Sequence, residues 1–221
     1  MISVVIRTRN EEEWISRCLA AVSRQDYHDF EIVVVDNESS DRTLELVSEF
    51  DCKVVHIDQN SFSYGRAINE GIRASSGDLV AILSGHCVPL NQAWLSMLRA
   101  AFDHPLVAGV YGRQEPLPDT DPFDKRDLWT TFGIERRVQL RDFFFHNANS
   151  MIRRSVWETI PFDEVIAGVE DRDWAKRVVQ RGYRVVYEPA ASVYHYHGIH
   201  QGGNRERAER VARVIEVLNY Q

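Results

Sequence analysis

The sequence predicts an α/β fold, a doubly wound and mostly parallel sheet flanked by helices in a single domain, and three observations carry that reading. Short β-branched runs alternate with helix-period segments through the first half of the chain, the signature of successive βαβ units. At 221 residues the chain is long enough for one sizeable core. No Gly/Ser-rich linker, low-complexity tract or internal repeat divides it.

The elements follow in order. "SVVIR" (3–7) reads as a first strand, and Asn10 with Glu13 three residues later form a capping box for the helix "EEEWISRCLAAV". "FEIVVVD" (30–36) is a second, fully buried strand, and "SSDRTLELVSEF" (39–50) a helix with Leu44, Val47 and Phe50 on one side. "KVVHI" (53–57) is a third strand, "GRAINEGIRA" (65–74) a helix and "DLVAIL" (78–83) a fourth strand. The prolines of "GRQEPLPDTDPFDKRD" (112–127) predict a surface loop. Beyond it, Asp171, Trp174, Ala175, Val178 and Val179 share a helix face that Gly182 closes, and "YRVVY" is a strand. At the end, Ala208, Val211, Ala212, Ile215 and Leu218 recur at helical spacing, with Gly202 and Gly203 as a possible hinge before them. The expected organisation is two halves, 1–110 and 111–200, and a C-terminal helix over 201–221.

Composition narrows the functions. A formal charge of −7 argues against binding nucleic acid, which needs a surplus of Lys and Arg on one face. No charged leader with an apolar core and no spanning apolar run is present, so the expected setting is the cytoplasm, with peripheral contact to a membrane as a minority reading. Cys18, Cys52 and Cys87 are odd in number and lack metal-site spacing, which predicts reduced thiols.

In open α/β sheets ligands gather outside the carboxyl ends of the strands. That rule selects Thr8 to Glu11, Asp36 to Asp41, Asp58 to Arg66, and Ser84 to Pro89. Taken together, "SVVIRTRNEE", "FEIVVVDNESSDRT", "GRAINEGIRASSGDLVAILSGHCVP", "NSMIRRSVW" and "GVEDRDWAKRVVQRGYRVVYEPAASVYHYH" resemble a family 2 glycosyltransferase of the GT-A fold, from Ile2 to about His197. The resemblance implies inverting transfer of a sugar from a nucleotide-diphosphate donor to an acceptor hydroxyl of a glycan or lipid-linked acceptor, with 1–110 binding the nucleotide and 111–200 serving acceptor and catalysis.

Three chemical requirements follow. For the nucleotide, Asp36 can accept the N3–H of uracil or thymine, which favours UDP or dTDP over CDP; its bland role is to cap the next turn. Thr8 and Asn10 match the family's first base-contacting loop, although Arg7 stands where the family usually has proline. Arg66 and Ser84 complete the candidate nucleotide residues. For the leaving diphosphate, most members hold Mg or Mn with an Asp-x-Asp motif, and here the aligned residues are Ser84, Gly85 and His86. Three readings stay open: His86 ligates a divalent metal, Mn or Mg in the family and a softer ion here, joined by His195 or His197; protonated His86 with Arg66 or Arg113 meets the charge without metal; or the protein binds without turnover. For the base, the resemblance points to Asp171 with Glu170 beside it, while the bland role of both is to complement a helix dipole. Gly168 ahead of them permits close backbone approach to a ligand. His146, Asn147 and Asn149 are the candidate sugar contacts, and Phe143 to Phe145 read as core. A non-catalytic nucleotide or glycan-binding module and a sugar nucleotidyltransferase are the alternatives; the latter lacks a Gly-rich triphosphate loop after the first strand.

Overall fold

A computed structural model describes residues 1–166 and 168–198, together with positions 206, 209, 212, 213, 216 and 217. The predicted hinge at Gly202 and Gly203 and most of the predicted C-terminal helix lie outside the described residues. The six isolated positions are helical and exposed, and these include Ala212 on the expected apolar face.

The first half folds as its periodicity dictates. Strands β1 (Ile2–Thr8), β2 (Phe30–Asp36), β3 (Lys53–His56) and β4 (Leu79–Ser84) alternate with helices α1 (Ile15–Ser23), α2 (Thr43–Val47) and α3 (Tyr64–Arg73). All pairings among these four strands are parallel, in the order β3-β2-β1-β4. The period-two alternation of apolar residues feeds two cores. Val4, Ile6, Val34, Ala81 and Leu83 pack on one face with α1 and α2. Val5, Val33, Val35, Val80 and Ile82 pack on the other with Ile68 and Ile72 of α3.

The second half adds β5 (Cys87–Pro89), α4 (Trp94–Ala100), β6 (Val107–Glu115), α5 (Pro122–Thr131), β7 (Arg137–Gln139), β8 (Asn149–Arg153), α6 (Arg154–Trp157), α7 (Glu170–Gln180) and β9 (Arg184–His195). Antiparallel β8 lies between β4 and β6, so both halves share one sheet, ordered β3-β2-β1-β4-β8-β6-β9-β5, with β7 on β9. The boundary expected at residue 110 falls inside β6. Trp94 of α4 and Trp174 of α7 are fully buried in opposite cores, and replacing either with alanine would cost about 3–5 kcal/mol.

Two local expectations are corrected. Asn10 and Glu13 form no capping box: α1 starts at Ile15 without a side-chain cap, Asn10 sits at φ 52°, and its Oδ1 accepts from the Ser40 backbone N–H at 2.8 Å. The stretch 112–127 is not a plain loop either. Glu115 ends β6, and Pro122 occupies the first turn of α5, where its missing N–H costs nothing and the Asp121 carboxylate caps the Phe123 N–H. By contrast, Gly182 ends α7 as expected. At φ 85° it supports a paired closure in which its N–H donates to Val179 O and the Tyr183 N–H to Val178 O.

Candidate active site

A cavity of about 300 Å³ opens at the carboxyl ends of β1 and β4. Its floor is formed by Arg7, Thr8 and Ser84. The loop after β1 is locked to the loop after β2: the Asn10 N–H donates to Ser39 Oγ at 2.9 Å, the Glu11 N–H to Thr43 Oγ1 at 2.7 Å, and the Glu12 N–H to the Asp41 carboxylate at 3.1 Å. These bonds hold the rim rigid without regular structure.

One wall is acidic. Glu170 and Asp171 open α7, where the unsatisfied N–H groups of a helix start favour negative charge. Asp171 Oδ1 accepts from the Arg172 N–H at 2.8 Å and Oδ2 from the Asn147 N–H at 3.3 Å. Glu170 is 4% exposed, and Arg7 Nη1 lies 4.0 Å from its carboxylate. Burial raises the Glu170 pKa, the neighbouring Asp171 charge raises it further, and Arg7 opposes both. Burial also raises the Asp171 pKa against the pull of the Arg172 N–H and its guanidinium. Gly168 borders this wall at φ 82°, a backbone conformation glycine adopts at no cost, while a Cβ there would meet nothing. Gly168 lines the cavity at the turn into α7.

The facing wall is built of imidazoles. His86, in the turn between β4 and β5, places Nδ1 2.6 Å from Glu11 Oε1 and Nε2 3.1 Å from His195 Nε2. A carboxylate accepts, so the His86 Nδ1 carries the proton. His195, last in β9, is delivered by the strand ladder, in which it pairs with Cys87. The His197 ring lies 4.8 Å from that of His86 and 4.4 Å from that of His195, and its Nδ1 donates to Gly198 O at 2.8 Å. Cys87 Sγ belongs to the same cluster, with ligand atoms of His86, Cys87 and His195 within 4.8 Å of one another. Burial pushes the Cys87 thiol well above its ordinary range. Trp14 stacks on Tyr196 at 5.5 Å and closes this side.

The structure gathers Thr8, Ser84, His86, His146, Asn147, Glu170, Asp171, His195 and His197 around the cavity, but not Asn10, Asp36, Arg66 or Asn149. Asn10 spends its side chain on the Ser40 backbone. Asp36 is fully buried, and both its oxygens accept from Ser39, the capping role, although each retains a lone pair. Asn149 is a structural clamp and not a sugar contact: Nδ2 donates to Arg113 O and Ala191 O, and Oδ1 accepts from the Trp94 Nε1–H. Arg113 pairs with Glu115 at 3.0 Å, away from the cavity. His146 Nδ1 meets the Gln114 side-chain amide at 3.0 Å.

Two site residues escape the sequence reading. Arg7 is noticed there only as a departure from proline, yet it is the cation of the floor, 3.4 Å from Ser84 Oγ and stacked over the Tyr64 ring at 5.4 Å. The signal is a charge at the carboxyl end of an otherwise apolar strand. Glu11 falls inside the selected loop but reads there as the first residue of a helix.

A parallel β3-β2-β1-β4 core extended by antiparallel strands gives this chain the GT-A glycosyltransferase fold of its structural neighbours. The chain belongs to glycosyl transferase family 2, whose profile matches residues 3–160. It is 26% identical to the O-antigen chain rhamnosyltransferase RfbN of Salmonella typhimurium over 89% of this chain and 66% of that protein. It is 32% identical to the glycosyltransferase AglE of Haloferax volcanii over 84% of this chain and 64% of that protein. The chain thus spans a little under two thirds of the length of these curated relatives. Among solved structures, residues 1–349 of TarS from S. aureus superpose with a TM-score of 0.73 at 21% identity, covering 98% of this chain and 64% of that one. The mannosyltransferase PcManGT from Pyrobaculum calidifontis, in complex with GDP-Man and Mn2+, gives 0.70 at 20% identity over 97% and 64%.

Proposed function

We propose that the protein is an inverting glycosyltransferase that moves a sugar from a nucleotide-diphosphate donor to an acceptor hydroxyl in polysaccharide or glycoconjugate synthesis. The observation that carries this reading is Asp171, a carboxylate at a helix start that shares one cavity with Arg7, Thr8, Ser84 and the imidazoles. In this reading residues 1–110 bind the nucleotide and 111–200 supply the base and acceptor side. The acceptor oxygen bonds to the anomeric carbon, and the bond from that carbon to the diphosphate breaks with its electron pair leaving on the diphosphate. The hydroxyl proton passes to Asp171, whose raised pKa makes it a better acceptor than an exposed aspartate. Attack opposite the leaving group inverts the anomeric centre. Glu170 sits behind this base and holds Arg7 near the floor.

The leaving diphosphate needs a countercharge. Neighbouring folds hold Mn2+, and the donor set here fits a divalent cation: His86 and His195 present Nε2 atoms 3.1 Å apart, with His197 adjacent. Imidazoles suit a borderline ion better than hard Mg. Such an ion, when bound, would neutralise charge developing on the diphosphate. Arg7 supports the same task from the floor.

Asp36, below the Asn37 that lines the cavity, favours a UDP or dTDP donor, and the acceptor is a glycan or a lipid-linked glycan. No helix among the described residues is long and apolar enough to cross a membrane. The test is calorimetric binding of UDP, dTDP, GDP and CDP, each with Mn, with Mg and with chelator, followed by turnover of a donor that binds. Metal-dependent UDP or dTDP binding with turnover is expected. Binding without turnover would favour a non-catalytic module, and preference for GDP or CDP would overturn the role given to Asp36.

A further inference from the structure

The contact between Glu11 and His86 does more than fill space. A carboxylate 2.6 Å from Nδ1 fixes the tautomer of His86, so the lone pair of the neutral ring stands at Nε2. That Nε2 points at His195 Nε2 across 3.1 Å. Two lone pairs cannot face each other at that distance unless a proton or a cation lies between them. Two nitrogens each about 2.0–2.1 Å from one ion subtend 3.1 Å at an angle of roughly 100°, between the octahedral and tetrahedral values. Cys87 favours the cation over a proton, because ligand atoms of His86, Cys87 and His195 lie within 4.8 Å of one another, a third donor that a simple proton bridge does not need.

We propose that Glu11 is the positioning residue of a transition-metal seat formed by His86 and His195 with Cys87 Sγ beside them, one that takes a borderline divalent ion such as Zn2+ or Co2+ in preference to Mg2+. This rests on the metal-assisted reading above and deepens it by naming the residue that sets ring orientation and ligand basicity. Carboxylates behind ligating histidines act this way, and their loss weakens metal affinity by about 10–100-fold. Glu11 is built for constancy. Its N–H donates to Thr43 Oγ1, its carbonyl accepts from the Trp14 and Ile15 N–H groups, and its side chain is 16% exposed, as is that of His86.

The experiment titrates the intact protein with Co2+, followed by its visible absorption, and with Zn2+ and Mg2+ by calorimetry, with and without UDP. It compares wild type, Glu11→Gln, Glu11→Ala and His86→Ala, and thermal melting confirms that each variant is folded. Nitrogen-15 NMR of the histidine rings reads the tautomer of His86. Expected are one Co2+ or Zn2+ per chain, Mg2+ bound more weakly, a loss of about 10–100-fold in Co2+ affinity for Glu11→Ala with a smaller loss for Glu11→Gln, and a shift of the His86 proton away from Nδ1 in Glu11→Ala. If His86→Ala loses Co2+ while both Glu11 variants bind it like wild type, the positioning role is overturned and the metal-assisted reading stands. If Co2+ and Zn2+ fail to bind with or without UDP, both are overturned and a proton bridges the imidazoles.

Discussion

The two walls of the cavity tune charge by opposite means. Glu170 and Asp171 are neighbours in sequence, and one helix start places both, so burial raises both pKa values and the Asp171 charge raises that of Glu170 further. The imidazole wall draws Glu11, His86 and His195 from three separate segments, with the two histidines 109 positions apart in sequence. Its character comes from assembly: a loop tied by Thr43, a tight turn after β4, and a strand ladder that pairs Cys87 with His195. The comparison teaches that the acid wall is a property of a few adjacent residues, while the imidazole wall is a property of the whole sheet.

The sharpest way to separate the walls is Asp171→Asn. Removing the proton acceptor is expected to lower turnover by about 10²–10⁴-fold while leaving UDP affinity within a few-fold, as steady-state kinetics and calorimetry would read. Turnover like that of wild type would move the base off this wall. The next largest effect is expected at the clamp behind the imidazoles. Asn149→Ala leaves Arg113 O, Ala191 O and the Trp94 Nε1–H without their partner, a loss of about 2–4 kcal/mol in urea unfolding. It should loosen β9, and with it His195, more than α7, so amide exchange should quicken first along β9.

Glu170→Gln probes the acid wall by pH. The folded carboxyl titrates above its ordinary range, so the native state holds a proton that the unfolded chain has already lost, and wild-type stability falls as pH rises from the ordinary carboxylate range through the folded value. The glutamine variant should flatten that fall, gaining about 1–3 kcal/mol above the window and little below it. A parallel fall in both proteins would assign the pH dependence to other groups. The smallest effect belongs to the far end of the same helix: Gly182→Ala, at φ 85°, should cost about 1 kcal/mol in thermal unfolding with turnover unchanged, since only the first turn of α7 faces the cavity.

What could be read in advance follows the same divide. Strand β2 is readable to the residue because "FEIVVVD" is an apolar run between turn signals, and α7 because its face and its closing Gly182 agree. Helix α5 escapes because proline reads as a breaker, although at the first helical position it is harmless. The Asn10 and Glu13 spacing suggests a cap, but Ser40 takes the Asn10 side chain, a contact 30 residues away that no local pattern reveals. The histidines can be proposed from their positions at strand ends. Glu11 cannot, because its partner lies 75 residues on. Asn149 misleads for a related reason: an amide suits a sugar or a clamp equally, and only the carbonyls of β9 and the end of β6 decide between them.

The ladder between β5 and β9 also ties the site to the far end of the described chain. Both cores that flank the parallel strands take residues from the second half, Trp94 and Val186 in one and Phe145 and Trp174 in the other, and His86 meets His195 only where β9 has paired with β5. The cavity is therefore completed only where residues from nearly the full length of the described chain have come together, from Arg7 on β1 to His195 on β9.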